Sequence, residues 1–305
     1  MNERPLITCY VLTYKNFEHI YSSIQSILDQ DYPNIEFGVF DDGSENFPKK
    51  EIEDYVASHK RDNIKNVVIW SNKKNLGTVK NLNNMISMTR GELLIGVASD
   101  DALYDEKVCS KLVDFFVKND ADIVTSYRTV TDLNNTVIKI IPKRRSAQKF
   151  KNANPTQQYK MIAMGAPFCG AGTYYSRRIL NKLCSFDEKY RLQEDGPFFL
   201  RATRNGYRIH FYDGITLNYM LGNGVSSGNE NNPMLVRDVI AMFDNEIIPY
   251  IDNFNFLEKR RIKYQRERIK EHKTLTKKIR IKYMLKYPDV LIYRFFSLNY
   301  SRYSI

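Results

Sequence analysis

The sequence predicts an α/β protein: a mostly parallel sheet flanked by helices, with a basic helical extension at the C-terminus. Three observations carry that prediction. Short apolar runs alternate with helical-period segments from residue 6 to residue 126. The 305 residues, 43% hydrophobic and 27% charged, match an ordinary globular chain long enough to bury a large core. All the surplus positive charge falls in the last fifty residues.

The elements follow in order. Residues 6–13 read as a strand. Asn16 reads as the cap of a helix whose apolar face is Phe17, Ile20, Tyr21, Ile24, Ile27 and Leu28. Residues 35–40 form a second strand, 51–59 a helix, 67–70 a third strand and 78–89 a helix. A fourth strand over 93–98, an amphipathic helix over 105–118 and a strand over 123–126 complete the alternation. A β-α-β order of this kind gives parallel strands covered on both faces. The second half is less regular. Residues 143–154 read as a long basic loop, 173–176 as a strand and 179–184 as a short helix. A helix opens at Glu194-Asp195-Gly196-Pro197 and runs to Arg204, with Pro197 suited to its first turn. Strands over 208–212 and 216–221, a Gly/Ser/Asn loop over 222–232 and a helix over 236–248 follow. The expected division is 1–222 as the α/β domain, 223–255 as a loop and helix completing it, and 256–305 as a basic, aromatic-rich extension.

Composition excludes several classes. The four cysteines, Cys9, Cys109, Cys169 and Cys184, form no CxxC pair, so neither a zinc site nor a disulfide framework is expected. His19, His59, His210 and His272 are too dispersed for a ligand cluster, and Ser226 and Ser227 have no evident His/Asp partners. The N-terminal residues lack a signal-peptide core, and no apolar stretch approaches the ~18 residues of a membrane span. A cytoplasmic protein is expected, peripheral on the inner membrane face if the extension binds there.

Residues 256–305 hold 15 Lys or Arg against four acids, a surplus equal to the net +11 of the whole chain, so the first 255 residues are neutral. Such a tail serves nucleic acid, an anionic membrane, or packing on the body or on another subunit. On a helix, Ile262, Ile269, Tyr283 and Tyr287 share an arc of about 60°. With the aromatics after Pro288, this fits a peripheral membrane contact better than a groove reader.

In parallel sheets, ligands bind beyond the carboxyl ends of the strands. Tyr14 follows the first strand, Asp41-Asp42-Gly43-Ser44 the second and Ser99-Asp100-Asp101 the fourth. Each acidic pair alone is good turn or cap chemistry. Together on one rim they suit a divalent cation that takes hard oxygen ligands and leaves room for phosphate. A P-loop is absent.

These motifs, with Leu12-Thr13-Tyr14, Asn75-Leu76-Gly77, and the series from Ser185-Phe186-Asp187-Glu188 through Glu194-Asp195 to Phe199-Leu200-Arg201-Ala202, resemble a family 2 glycosyltransferase with the GT-A fold. The resemblance runs from about residue 6 to residue 213. It implies an inverting transfer from a nucleoside-diphosphate sugar, with Tyr14 stacking on the base and Asp42 hydrogen-bonding it as uracil. Asp101 would contact Mn²⁺ or Mg²⁺, and Asp100 the ribose or the metal shell. Asp195 takes the position of the catalytic base, with Glu194 beside it at the substrate. The chain departs from the family at two positions. Ala98 stands where the family's commonest metal motif has its first Asp, and Leu82 replaces a basic residue, leaving Lys80 nearby as the substitute. The implied acceptor is a glycan or polyprenyl-linked glycan in cell-surface polysaccharide synthesis, binding near 168–172, with residues 222–228 closing over the donor. A metal-dependent nucleotidylyltransferase is the rival enzyme reading. A nucleic-acid module is disfavoured, because the neutral body and acidic rim would repel phosphate in the absence of metal.

Overall fold

The computed structural model describes residues 4–134, 136–221, 232–271, 282–283 and 285–290. The first half follows the expected order: β1 (Ile7–Thr13), α1 (Ile20–Leu28), β2 (Ile35–Asp41), α2 (Lys49–His59), β3 (Ile64–Ser71), α3 (Thr78–Met88) and β4 (Leu93–Ala98). All seven residues of β2 are buried, as a parallel strand covered on both faces demands. β3, β2, β1 and β4 lie side by side and parallel. Thr13 pairs with Asp41 and Leu12 with Ala98, so three strands finish level and their following residues share one rim.

The sheet continues through β8 (Thr173–Ser176), antiparallel to both β4 and β6 (Ile123–Thr131). Beyond β6 lies β9 (Ile209–Met220), parallel to it. β5 (Ala102–Leu103) pairs with β9, and β7 (Val137–Ile141) pairs with β6, both antiparallel. Alternate residues along the strands face two separate cores. Cys9, Val11, Phe37 and Ile95 pack beneath α1, α2 and α4 (Val108–Asn119). Tyr10, Phe40, Leu94 and Phe211 face α3, α5 (Arg144–Asn152), α6 (Pro155–Ala163), α7 (Arg177–Lys182) and α8 (Asp195–Arg204).

Several expectations are corrected. Asn16 does not cap α1, which starts at Ile20 behind His19 with no side-chain cap bond. Lys15, at φ 55°, turns the chain so that Asn16 points toward Asp100 instead. Residues 143–154 are not a loop: Ser146, Ala147 and Phe150 form a buried face, and α5 forms behind it. The two strands expected over 208–221 are one, β9, bulged at Asp213-Gly214 where the register jumps from Tyr212↔Ser126 to Ile215↔Tyr127. The helix expected over 236–248 is α9 (Pro233–Met242), continued by a π-helical turn (Phe243–Ile247) and a 3₁₀ turn (Ile248–Asn253). β5 has no two-residue signature that sequence pattern detects. The glycine-rich loop lies outside the described residues but for Asn232, which caps α9.

The C-terminal extension begins with α10 (Phe256–Lys270), capped reciprocally by Asn255 and Glu258. Ile262 and Ile269 join the main core, and Arg261 and Gln265 both donate to the Met164 carbonyl. Tyr283 and Tyr287 bury against Tyr264, with ring centroids 5.6 and 5.5 Å away. The arc read from the sequence therefore faces protein. The tail's four acids are all paired: Glu258 with Lys160, Glu267 with Lys286, Glu271 with Lys282 and Asp289 with Arg260.

Candidate active site

The rim is stitched from three strand ends. Asp42 N–H donates to the Thr13 carbonyl and Ser99 N–H to the Leu12 carbonyl, each at 3.0 Å. Lys15 N–H donates to Ser44 Oγ (2.8 Å), and Asn16 Nδ2 donates to Asp100 Oδ2 (3.3 Å). The loops after β1, β2 and β4 thus form one unit. Tyr14 stands on it, 41% exposed, with Lys15 Nζ 5.4 Å from the ring centroid.

The two aspartates at the end of β2 do different work. Asp41 accepts from Gly43 N–H, Ser44 N–H, Ser44 Oγ and Ser71 Oγ, which closes the turn. Gly43, at φ 77°, supplies the left-handed residue that this turn requires. Asp42 reaches across to the loop before α3. Its Oδ1 accepts from Leu76 N–H (2.8 Å) and Asn72 Nδ2 (3.1 Å), and its Oδ2 accepts from Gly77 N–H (2.8 Å). One Oδ2 lone pair remains beyond these bonds.

Asp100 and Asp101 follow β4. Asp101 is buried, and its Oδ1 accepts from Met220 N–H at the end of β9 (3.1 Å). Burial pushes its carboxyl well above the ordinary range; the Asp100 charge adds to this, and the Arg128 guanidinium opposes it. Burial likewise raises Asp100. Two adjacent carboxylates short of compensating positive charge fit a divalent cation, whose charge offsets both terms and whose hard character matches their oxygens. Among the described residues, no group of three or more His, Cys, Asp or Glu side chains is arranged to hold a metal.

Asp195 opens α8 and is buried. Gly170 N–H donates to its Oδ2 (2.7 Å) and Gly196 N–H to its Oδ1. A Cβ at Gly170 would lie 2.5 Å from Glu194 Oε1, so the Glu194 carboxylate would have to shift to admit it. Beneath the pair lie two buried tyrosines. Burial pushes Tyr10 and Tyr175 up; Glu194 adds to both, and Asp195 also to Tyr175. The chain leading to Asp195 is seated by Asp238 of α9, whose Oδ2 accepts from Arg191 N–H and Leu192 N–H. Arg191 packs on Gly77 and donates to the Asn75 carbonyl (3.1 Å). That loop is the one Asp42 clasps.

Continuous contacts thus join Tyr14, Asp42, Asp100 and Asp101, and link Asp42 through residues 75–77 and 191–192 to the segment carrying Glu194 and Asp195. Lys80 is different: it lies exposed on α3 and pairs with Glu188 (3.5 Å). Sequence reasoning missed Asn16, Gly170, Arg128 and Asp238. Arg128 is buried in β6, donates to the Ala171 carbonyl and lies 5.8 Å from the Tyr219 ring centroid. A buried cation continuing an apolar strand was the available signal.

This is the scaffold and rim of a glycosyltransferase. The profile of the family described as "Glycosyl transferase family 2" matches residues 8–184, more than half of the chain. The chain belongs to that family. It is 25% identical over 274 residues to an uncharacterized glycosyltransferase of Haemophilus influenzae, covering 85% of this chain and 81% of that one. It is 24% identical over 198 residues to chondroitin synthase of Escherichia coli, covering 64% of this chain and 27% of that one. Among solved structures, S. aureus TarS 1–349 in complex with UDP-GlcNAc matches with a TM-score of 0.59 and 18% identity, over 88% of this chain and 73% of that one. The mannosyltransferase PcManGT from Pyrobaculum calidifontis, in complex with GDP-Man and Mn²⁺, matches with a TM-score of 0.59 and 14% identity, over 83% and 66%. A longer TarS chain matches with a TM-score of 0.58, and this chain spans 44% of its length. These likenesses establish a GT-A-like fold. Among the described residues no helix is long and apolar enough to cross a membrane.

Proposed function

We propose that the protein is an inverting glycosyltransferase that moves a sugar from a nucleoside-diphosphate sugar, a UDP-sugar, to a hydroxyl of a glycan or lipid-linked glycan in cell-surface polysaccharide synthesis. The carrying observation is Asp195: a buried carboxylate oriented by two backbone N–H groups at a helix start, on a segment seated against the loop that Asp42 clasps. Such a carboxylate suits a general base, which must take the acceptor hydroxyl's proton as that oxygen attacks the anomeric carbon. Attack from one face with the diphosphate leaving from the other inverts the anomeric centre.

Tyr14 offers an exposed ring for the base, and the remaining Oδ2 lone pair of Asp42 suits a uracil N–H. Glu194 lies beside the base for the sugar or acceptor, and Lys80 supplies positive charge on the donor side. Asp100 and Asp101 would hold Mn²⁺ or Mg²⁺, with donor oxygens and water completing the shell. Bound there, the ion stabilises charge on the leaving diphosphate. PcManGT, in complex with GDP-Man and Mn²⁺, supports a divalent ion, and TarS with UDP-GlcNAc supports a uridine donor. We place the enzyme in the cytoplasm, at the inner membrane face, with the basic charge of 256–305, which includes the exposed Lys263 and Lys270 of α10, drawing it toward anionic lipid.

The test is a panel of sugar nucleotides assayed for slow hydrolysis, which needs no acceptor. One uridine donor should be cleaved in a metal-dependent way, and Asp195→Asn should retain donor binding while losing most turnover. Near-normal turnover in a folded Asp195→Asn variant would refute the base assignment.

A further inference from the structure

We propose that the β6–β7 hairpin and the first turns of α5 form a docking element for an anionic lipid bilayer. Residues 133–151 contain six cations, Lys139, Lys143, Arg144, Arg145, Lys149 and Lys151, and no acid. The same stretch exposes Leu133 (59%), Val137 (54%), Ile138 (55%) and Ile140 (48%). Successive residues of a strand point to opposite faces, so β7 presents apolar side chains to solvent on both sides. A solvated strand ordinarily keeps a polar face, and a cluster of exposed aliphatics marks a contact surface.

Lys149 and Lys151 lie in the last turn of α5, where they suit its dipole, and Lys151 pairs with Asp213, but the two arginines do not serve the helix they begin. Arg144 and Arg145 occupy the first turn of α5, where positive charge opposes the helix dipole. Their placement gives up helix stability in favour of charge beside the apolar strand. That combination is how peripheral proteins hold an acidic membrane: aliphatics enter the acyl boundary while Lys and Arg meet lipid phosphates. A second copy of the chain fits less well. Lys139 sits mid-strand on β7, the arrangement that blocks strand addition, and apposing two such cationic stretches is repulsive.

The element also lies where a lipid-borne acceptor would be needed. Leu221 N–H donates to the Thr131 carbonyl at the root of the hairpin (2.9 Å), one residue from Met220, whose N–H holds Asp101. This last step rests on the proposed glycosyl transfer; the docking itself does not.

Co-sedimentation of the full chain with phosphatidylcholine vesicles, with and without phosphatidylglycerol, tests it. The chain should bind only the anionic vesicles. Arg144→Gln/Arg145→Gln should weaken binding about 30-fold at low salt, from a fivefold contribution per cation. Ile138→Ser/Ile140→Ser should weaken it about tenfold or more, with little salt dependence. Donor hydrolysis in solution should be unchanged in both. Absence of vesicle binding, or wild-type binding by both variants, overturns the proposal. So does a wild-type dimer that Ile138→Ser/Ile140→Ser dissolves without lipid, which assigns the face to a second copy. Vesicle binding without hydrolysis of any donor would leave docking standing and remove the transfer reading.

Discussion

Gly170→Ala is a small change with a calculable consequence. The added Cβ would lie 2.5 Å from Glu194 Oε1, against 3.6 Å from Asp195 Cβ and 3.7 Å from its Oδ2. Ordinary contact needs roughly 3.4 Å or more, so something must move by about 0.9 Å. Either the Glu194 carboxylate swings away, or the 168–172 segment retreats with the N–H that orients Asp195. A misplacement near 1 Å costs up to about 100-fold in rate when it falls on a reacting group. We expect donor turnover to fall about 10- to 100-fold, with a melting temperature close to wild type because no core volume is lost. A Glu194→Ala background removes the one contact under 3.4 Å, so Gly170→Ala should add little there; a full loss in that background would show that the clash is not the cause. Wild-type kcat/KM in the single variant would refute the claim that this glycine fits the acidic pair.

Four other outcomes are expected. Asp195→Asn should lower kcat by about 10²- to 10⁴-fold with donor KM little changed, read by steady-state hydrolysis. Excess EDTA should abolish turnover and Mn²⁺ or Mg²⁺ restore it, whereas Asp101→Asn should resist restoration; undiminished activity in EDTA excludes the metal role. Asp42→Asn presents an NH₂ group to donors that Asp42 now accepts from, so unfolding should come about 2–4 kcal/mol easier and roughly 5–12 °C lower. Glu36 tests the pH dependence of stability. Burial alone would raise its carboxyl, but bonds from Arg90 N–H, Thr8, Asn66 and Gly91 N–H outweigh this and hold it below the usual value. A lowered folded value gives stability that is complete above the unfolded carboxylate range and is lost as pH falls through the folded one. Glu36→Gln should therefore be less stable than wild type at pH 7, by about 1–3 kcal/mol, with the gap closing below about pH 4 in denaturant titrations.

The first half of the fold was readable because each strand and helix there carries its own period. β1 to β4 and α1 to α3 are local patterns, and parallel pairing follows from their alternation. The acidic rim was readable for the same reason, since residues just after level strands must meet. What escaped was non-local. α5 hid behind its cations, because Ser146, Ala147 and Phe150 make only a short apolar stripe. β9 read as two strands because the bulge at Asp213-Gly214 interrupts the period without ending the pairing. The tail's arc was found correctly, but periodicity cannot say what covers an apolar face, and Tyr264 and the main core cover it. Asp238 gave no local sign, because its partners at 191–192 lie more than forty residues away.

The two sides of the site are held by different forces, and this bears on how the enzyme would vary. The carboxylates of the proposed donor and base sites are fixed by backbone groups. Asp42 is clasped by Leu76 and Gly77, Asp101 by Met220, and Asp195 by Gly170 and Gly196, so each carboxylate is placed by chain geometry more than by neighbouring side chains. Substitutions around them leave these bonds in place as long as the strands and turns persist. In the proposed reading the acceptor side includes the β6–β7 hairpin and α5; β7 is held by its ladder to β6, and α5 by the packing of Ser146, Ala147 and Phe150 and the Lys151–Asp213 pair. The α5 and β7 contacts involve none of the backbone groups that bond Asp42, Asp101 or Asp195. A chain divided in this way can change its acceptor while keeping its chemistry. Exchanging residues 133–151 should therefore alter membrane preference and acceptor choice while leaving donor hydrolysis intact.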